Sequence, residues 1–169
     1  EAAVRQPPAP DNPEIDAALE KSITDEFGSL LTLDDHKRRM WRLVYAQESN
    51  AAIRAAKRLP GEYQKAAAVA QALLRGVAGA DKKYAALPAA MRNQMGMKYA
   101  LVRYYRKNES YTKARNILAA VPGDAAEMGD AEAWWTERRI VARHSVGITH
   151  RDSAKAAYKI ARNHGFSKG

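Results

Sequence analysis

Four short patterns, three of them closed by proline, restrict what this chain can fold into. Ala52, Ala55, Ala56 and Leu59 stand at i, i+3, i+4 and i+7, and Pro60 follows. Ala114, Ile117, Leu118 and Val121 repeat the spacing before Pro122. Ala80, Tyr84 and Leu87 fill three of the four places before Pro88, with Lys83 in the other. Such spacing gathers residues on one helical face, and proline ends the helix at the residue before it. A fourth stripe, Ala154, Ala157, Tyr158 and Ala161, runs into Asn163-His164-Gly165, which suits a glycine C-cap. The stripe ends at 59, 87, 121 and 161 are 28, 34 and 40 residues apart. The period is therefore irregular, with one helical hairpin per unit rather than a strict array.

Bulkier helices alternate with these stripes. Met40, Val44 and Gln47 share one face, with Trp41 and Tyr45 beside it. Met97, Leu101 and Tyr104 form a second such face, next to Ala100 and Tyr105. In "AEAWWTERRIVARH", Ala131 to His144, Asp130 stands ready as the cap, and Trp134, Val141 and Ile148 recur every seven residues. Large side chains against alanines let helix pairs interlock closely. The expected fold is all-α: an irregular helical-hairpin repeat, an α-superhelix or solenoid, over residues 13–169. Residues 1–12 read as a flexible proline-rich leader. Asn12-Pro13 and Thr32–Asp35 both look like helix starts, and a short acidic helix is expected from the first of these to about Glu20.

The heptad makes Trp134 a core residue. Trp135, about 100° further round the helix, should be less buried. Glu137 and Arg138 fall near the apolar face, where an ion pair between hairpins is expected. The neighbouring arginines should reach solvent or Glu137.

Charge is divided unevenly. Residues 1–35 carry two basic and nine acidic side chains, a net of −7, and the other 134 residues carry 26 and 10, a net of +16. A basic body suits an anionic partner: nucleic acid, anionic lipid or an acidic glycan. The arginines are spread over every unit, however, and no nucleic-acid motif is present. No apolar run approaches the ~18 residues of a membrane span. The absence of cysteine excludes a disulfide framework. Beginning at Glu1 without methionine, the chain is expected to be processed or cut from a longer protein.

Few residues offer chemistry. His36, His144, His150 and His164 have no i, i+4 partner, so no metal site is expected. Gly76–Lys83 has the wrong glycine spacing for a phosphate loop and follows no buried strand, so no cofactor is expected either. Glu48-Ser49 is a glutamate-serine pair of the kind that carries the acid of lysozyme-like domains. Here it falls between two helices, where Ser49 reads as an N-cap and Glu48 lacks an enclosing pocket to raise its pKa. No catalytic residue is assigned.

From about Ile23 onward the chain resembles the superhelical scaffold of periplasmic soluble lytic transglycosylases of the alphaproteobacterial type. The resemblance rests on "FGSLLTLDDHKRRMWRLVYAQ" (Phe27–Gln47), "ARNILAAVP" (Ala114–Pro122), "AEAWWTERRIVAR" (Ala131–Arg143) and "AKAAYKIARNHG" (Ala154–Gly165). In that family stacked hairpins form a curved scaffold, and a separate lysozyme-like domain cleaves peptidoglycan between N-acetylmuramic acid and N-acetylglucosamine to give 1,6-anhydro products. No such domain is recognisable here. The resemblance thus implies a non-catalytic part of a periplasmic enzyme, its signal peptide removed and inactive by itself. Its expected partner is peptidoglycan or another anionic glycan surface, or a docked protein, and not nucleic acid. A stand-alone adaptor binding a protein or peptide is the alternative, and a basic nucleic-acid-binding repeat is a lesser one.

Overall fold

Proline at 60 and 88 does more than end a stripe. Pro60 (φ −51°, ψ 152°) and Pro88 (φ −55°, ψ 148°) are each the N-cap of the next helix, where the ring-locked φ and the lack of an N–H carry no penalty. The computed structural model describes residues 28–146 and 151–162, with 18, 19, 21, 22 and 26. Among them every regular element is helical. The chain divides into two units, Glu1–Thr32 and Leu33–Gly169. In the first, Gly28–Leu30 form a single 3-10 turn.

The second unit holds ten described α-helices: α1 Leu33–Tyr45, α2 Ser49–Ala56, α3 Gly61–Leu74, α4 Ala80–Ala85, α5 Ala89–Arg92, α6 Met95–Lys107, α7 Tyr111–Ala120, α8 Ala125–Met128, α9 Ala131–Val146 and α10 Arg151–Arg162. Their starts follow ordinary capping chemistry. Asp34 and Asp35 sit in the first turn of α1, where the helix dipole favours them. The Asp124 carboxylate accepts from Ala126 N at 2.8 Å, and Asp130 accepts from Ala133 N at 2.8 Å. Ser49 departs from expectation. It is the first residue of α2, and Glu48 holds the cap position without a side-chain cap bond.

Three turns close in the same way. After α1, Gln47 N donates to Val44 O (3.1 Å) and Glu48 N to Leu43 O (2.9 Å). After α3, Gly76 N donates to Leu73 O (3.0 Å) and Val77 N to Ala72 O (2.9 Å). After α6, Glu109 N donates to Arg106 O (3.1 Å) and Ser110 N to Tyr105 O (2.8 Å). The paired 5→2 and 6→1 bonds are those of the Schellman closure, which needs a left-handed residue just past the helix. Gln47 (φ 66°), Gly76 (φ 73°) and Glu109 (φ 56°) fill that place.

Consecutive helices pack on each other, α1 on α2, α2 on α3, α6 on α7 and α9 on α10. α6 runs through the centre, touching α1, α3, α7 and α9. That is why it buries Met97, Tyr99, Ala100, Leu101, Val102 and Tyr104 rather than the single face its spacing suggested. α3 lies against α2 and α6 through Tyr63, Ala66, Ala67, Ala70 and Leu73. Alanine faces let these backbones approach closely.

The stripes fare unequally. Ala52, Ala55, Ala56 and Leu59 are all buried, as are Ala114, Leu118 and Val121, with Ile117 half-buried. Ala80 and Leu87 are buried, and Tyr84 is half-buried. Met40, Val44 and Tyr45 are buried, but Gln47 lies in the exposed turn. The fourth stripe is corrected: Ala157 and Ile160 face inward, whereas Ala154 is exposed and Tyr158 is 69 % exposed. Burying Ile160 demands no side-chain hydrogen bond, whereas a buried Tyr158 hydroxyl would need one. Trp134 is fully buried and Trp135 half-buried. The leader, the helix start at Asn12, Ile148, His150, His164 and the Asn163–Gly165 cap lie outside the described residues.

Two outcomes are expected in thermal or urea denaturation. Gln47→Gly and Glu109→Gly should be neutral or stabilising by up to about 1 kcal/mol each, because a left-handed non-glycine residue is strained, whereas Gly76→Ala should cost about that much. Losing stability in both glycine variants would remove the left-handed account of these turns. Trp134→Ala should cost about 3–5 kcal/mol, as loss of a buried aromatic does, and Trp135→Ala clearly less.

Candidate functional site

Three side chains of the "WWTERR" block, Trp134, Glu137 and Arg138, have separate tasks. Trp134 places its indole against Tyr99, rings 5.6 Å apart and edge-on, and Tyr99 in turn meets Tyr45 at 5.1 Å. The Trp134 Nε1 and Tyr45 Oη both donate to the carbonyl of Met128, at 3.1 and 2.7 Å. Gly129 (φ 76°) makes that convergence possible, since a Cβ there would sit 3.2 Å from Tyr45 Oη in a conformation that side chains rarely adopt. Burial raises the phenol pKa of Tyr45 far above its ordinary value, and Tyr99 rises for the same reason. Both are neutral donors at any physiological pH.

Glu137 and Arg138 are each fully buried, and they do not pair with each other. Glu137 reaches across to α6. Arg103 Nη1 donates to its Oε1 at 3.1 Å, Arg106 Nη2 donates to Oε1 at 3.0 Å, and Arg106 Nε bonds Oε2. The carboxylate holds Arg106 above its ordinary pKa. The expected ion pair between hairpins therefore exists, with partners that spacing alone did not identify. Arg138 corrects the expectation that the arginines behind the tryptophans reach solvent or Glu137. Its Nη1 donates to Leu118 O (3.4 Å) and Ile160 O (3.1 Å), and its Nη2 to Val121 O (3.2 Å) and Pro122 O (3.3 Å). Burial lowers its pKa to about 10, so it stays a cation. Carbonyls at a helix C-terminus are a natural seat for that charge.

Beside this core opens a cleft of about 410 Å³. Arg38, Trp41, Arg42 and Tyr45, one face of α1 at i, i+3, i+4 and i+7, form one wall. Glu127, Gly129 and Asp130 also line the cleft, with Gln94, Met95 and Gly96 at the start of α6. Gly96 is needed here: a Cβ would lie 2.5 Å from Trp41 Cε3. The half-buried indole thus lies on bare backbone. The floor is buried and the rim exposed, with Arg42 and Glu127 both exposed. Sequence reasoning placed Trp41 and Tyr45 beside a core face and did not find this cleft. The signal available to it was the glycine at 96, in a helix whose other residues, Ala100 apart, are large.

The other residues singled out in the sequence fall apart from one another. Glu48 is exposed in the α1–α2 turn. His36 is half-buried on α1, and His144 is exposed and stacks on Tyr111, rings 3.5 Å apart and nearly parallel. Gly76–Lys83 spans the α3–α4 turn and the start of α4. Among the described residues, no three His, Asp or Glu side chains gather as metal ligands would. No helix among them is long and apolar enough to cross a membrane. No family model, curated protein or solved structure matches the chain.

The buried and half-buried phenols give a pH dependence of defined sign. Tyr45, Tyr84, Tyr99 and Tyr105 all have pKa values raised from 10.0, chiefly by burial. The unfolded chain therefore loses these protons first. Their contribution to stability is complete below about pH 10 and declines as pH rises toward the folded values. Tyrosinate absorbance followed alongside circular dichroism should show part of the eight tyrosines ionising only as helix is lost. A single step near pH 10 with the helices intact would contradict this.

Proposed function

We propose that this chain is a non-catalytic helical scaffold of a peptidoglycan lytic transglycosylase, periplasmic, built from stacked hairpins and acting to position a separate catalytic domain on the cell wall. The observation that supports it best is where the buried charges are spent. Glu137 and Arg138, adjacent on α9, bind in different directions, to α6 and to the ends of α7 and α10. Ionic groups placed so hold hairpins to one another, and a carboxylate bound by two arginines is engaged in the scaffold rather than open to a substrate. The Schellman closure shared by three turns fits a chain made of one kind of unit, and the irregular period fits a superhelix rather than a regular array. Glu48 is exposed in one of those turns, with no pocket around it to hold a substrate.

The resemblance supplies the substrate: a glycan strand cut between N-acetylmuramic acid and N-acetylglucosamine, with 1,6-anhydro ends. The basic body suits an anionic wall polymer. Incubated with purified sacculi, the chain is expected to cosediment with them and release no 1,6-anhydro muropeptides. Release that Glu48→Gln abolishes would make the chain an enzyme and overturn the scaffold reading. Failure to cosediment, with a gel shift on DNA or RNA at physiological salt, would replace it with the nucleic-acid reading.

A further inference from the structure

We infer that the cleft between α1 and the α8–α9 turn is a binding site for a neutral stretch of glycan, with Trp41 as the stacking platform. Four observations support this. The cleft, about 410 Å³, falls within the roughly 300–1,000 Å³ of small-molecule sites and is too small for a folded partner. Its central aromatic is fixed before any ligand arrives, because the Trp41 ring lies against Gly96. A pre-set ring loses little entropy on binding. The polar groups around it are planar with several donors or acceptors each: the Arg38 and Arg42 guanidinium groups, the Gln94 amide, and the Glu127 and Asp130 carboxylates. Sugar hydroxyls, each both donor and acceptor, match such a set, while the C–H face of the ring packs on an indole.

The fourth observation is charge. The body of the chain is strongly basic, but the cleft is not. Its lining holds two arginines, Arg38 and Arg42, and two carboxylates, Glu127 and Asp130, so the site offers a polyanion no net attraction. Asp130 is held in place by its bond to Ala133 N. Arg38 lies 3.7 Å from Asp35 and keeps a largely exposed side chain. The cleft therefore selects an uncharged, hydroxyl-rich chain, while the basic surface elsewhere meets the acidic groups of the same polymer. The choice of polymer rests on the scaffold reading above, and the chemistry of the cleft does not.

The test is calorimetric titration of the full chain with N-acetylchitotetraose, a neutral N-acetylated oligosaccharide, and separately with a heparin tetrasaccharide. The neutral sugar is expected to bind with an affinity that changes little between low and high salt. Trp41→Ala should weaken it by about tenfold or more, the loss of one stacked anchor. Because Trp41 also packs on Gly96, Arg42→Ala and Glu127→Gln, both on the exposed rim, are needed beside it. Each should weaken binding several-fold with the melting temperature unchanged. No binding of the neutral sugar by the folded parent, or binding that all three variants leave intact, overturns the assignment. So does heparin binding that competes with the neutral sugar and disappears in salt. Cosedimentation with sacculi alongside no binding of the neutral sugar would sink the cleft alone and leave the scaffold reading standing. Binding of the neutral sugar without cosedimentation would do the reverse.

Discussion

A carbonyl oxygen has two lone pairs, and that of Met128 uses both on side chains, the Tyr45 phenol and the Trp134 indole. Through this one atom α1 and α9 are held to the end of α8, and the Tyr45–Tyr99–Trp134 contacts carry the junction into α6. Each donor is buried, so leaving either unpaired costs about 1–3 kcal/mol. Gly129 lets the backbone turn away while the carbonyl faces inward. Part of the cleft lining, Gly129 and Asp130, is built on that same turn, so its shape follows from a core contact rather than from the mobility of a surface loop.

The charges of α9 obey a similar economy of position. Two arginines meet one buried carboxylate in the Glu137 cluster, and water supplies little there. Arg103 and Arg106 are only 14 % and 16 % exposed. Breaking a buried pair by deleting one partner is costly because the other is stranded. Arg138 is solved differently, by carbonyl dipoles instead of an opposite charge. A lysine in its place has one compact ammonium and no planar fork, and cannot reach four oxygens spread over two helix ends. Even the arginine leaves its Nε without an acceptor among the described residues.

Much of the helical layout was legible because alanine stripes and prolines are local signals. Trp134, the Ala52–Leu59 face and the Asp130 cap follow from spacing alone. What escaped was set by tertiary contact. The burial of α6 on nearly all sides depends on α1, α3, α7 and α9 arriving around it, which no period within the helix records. Two of the three left-handed turn residues are Gln47 and Glu109, so the turns lacked the glycine that usually advertises them. Tyr158 was misplaced because a stripe of four apolar residues on α10 has two possible faces, and only the packing of Ile160 decides between them. The cleft was invisible for a related reason. Trp41 reads as a neighbour of the core until Gly96, more than fifty residues away in sequence, is seen to lie against its ring.

The four-carbonyl seat of Arg138 has a consequence for how the molecule comes apart. One guanidinium holds the C-terminal end of α7 and the Ile160 carbonyl in α10 together. Neither end can fray without stripping acceptors from a buried cation. Helix ends ordinarily open first and by themselves. Here the last turn of α7 and the latter part of α10 are bound into one opening event, so that their amides exchange with solvent in concert and the final hairpin belongs to the same cooperative block as the helix before it.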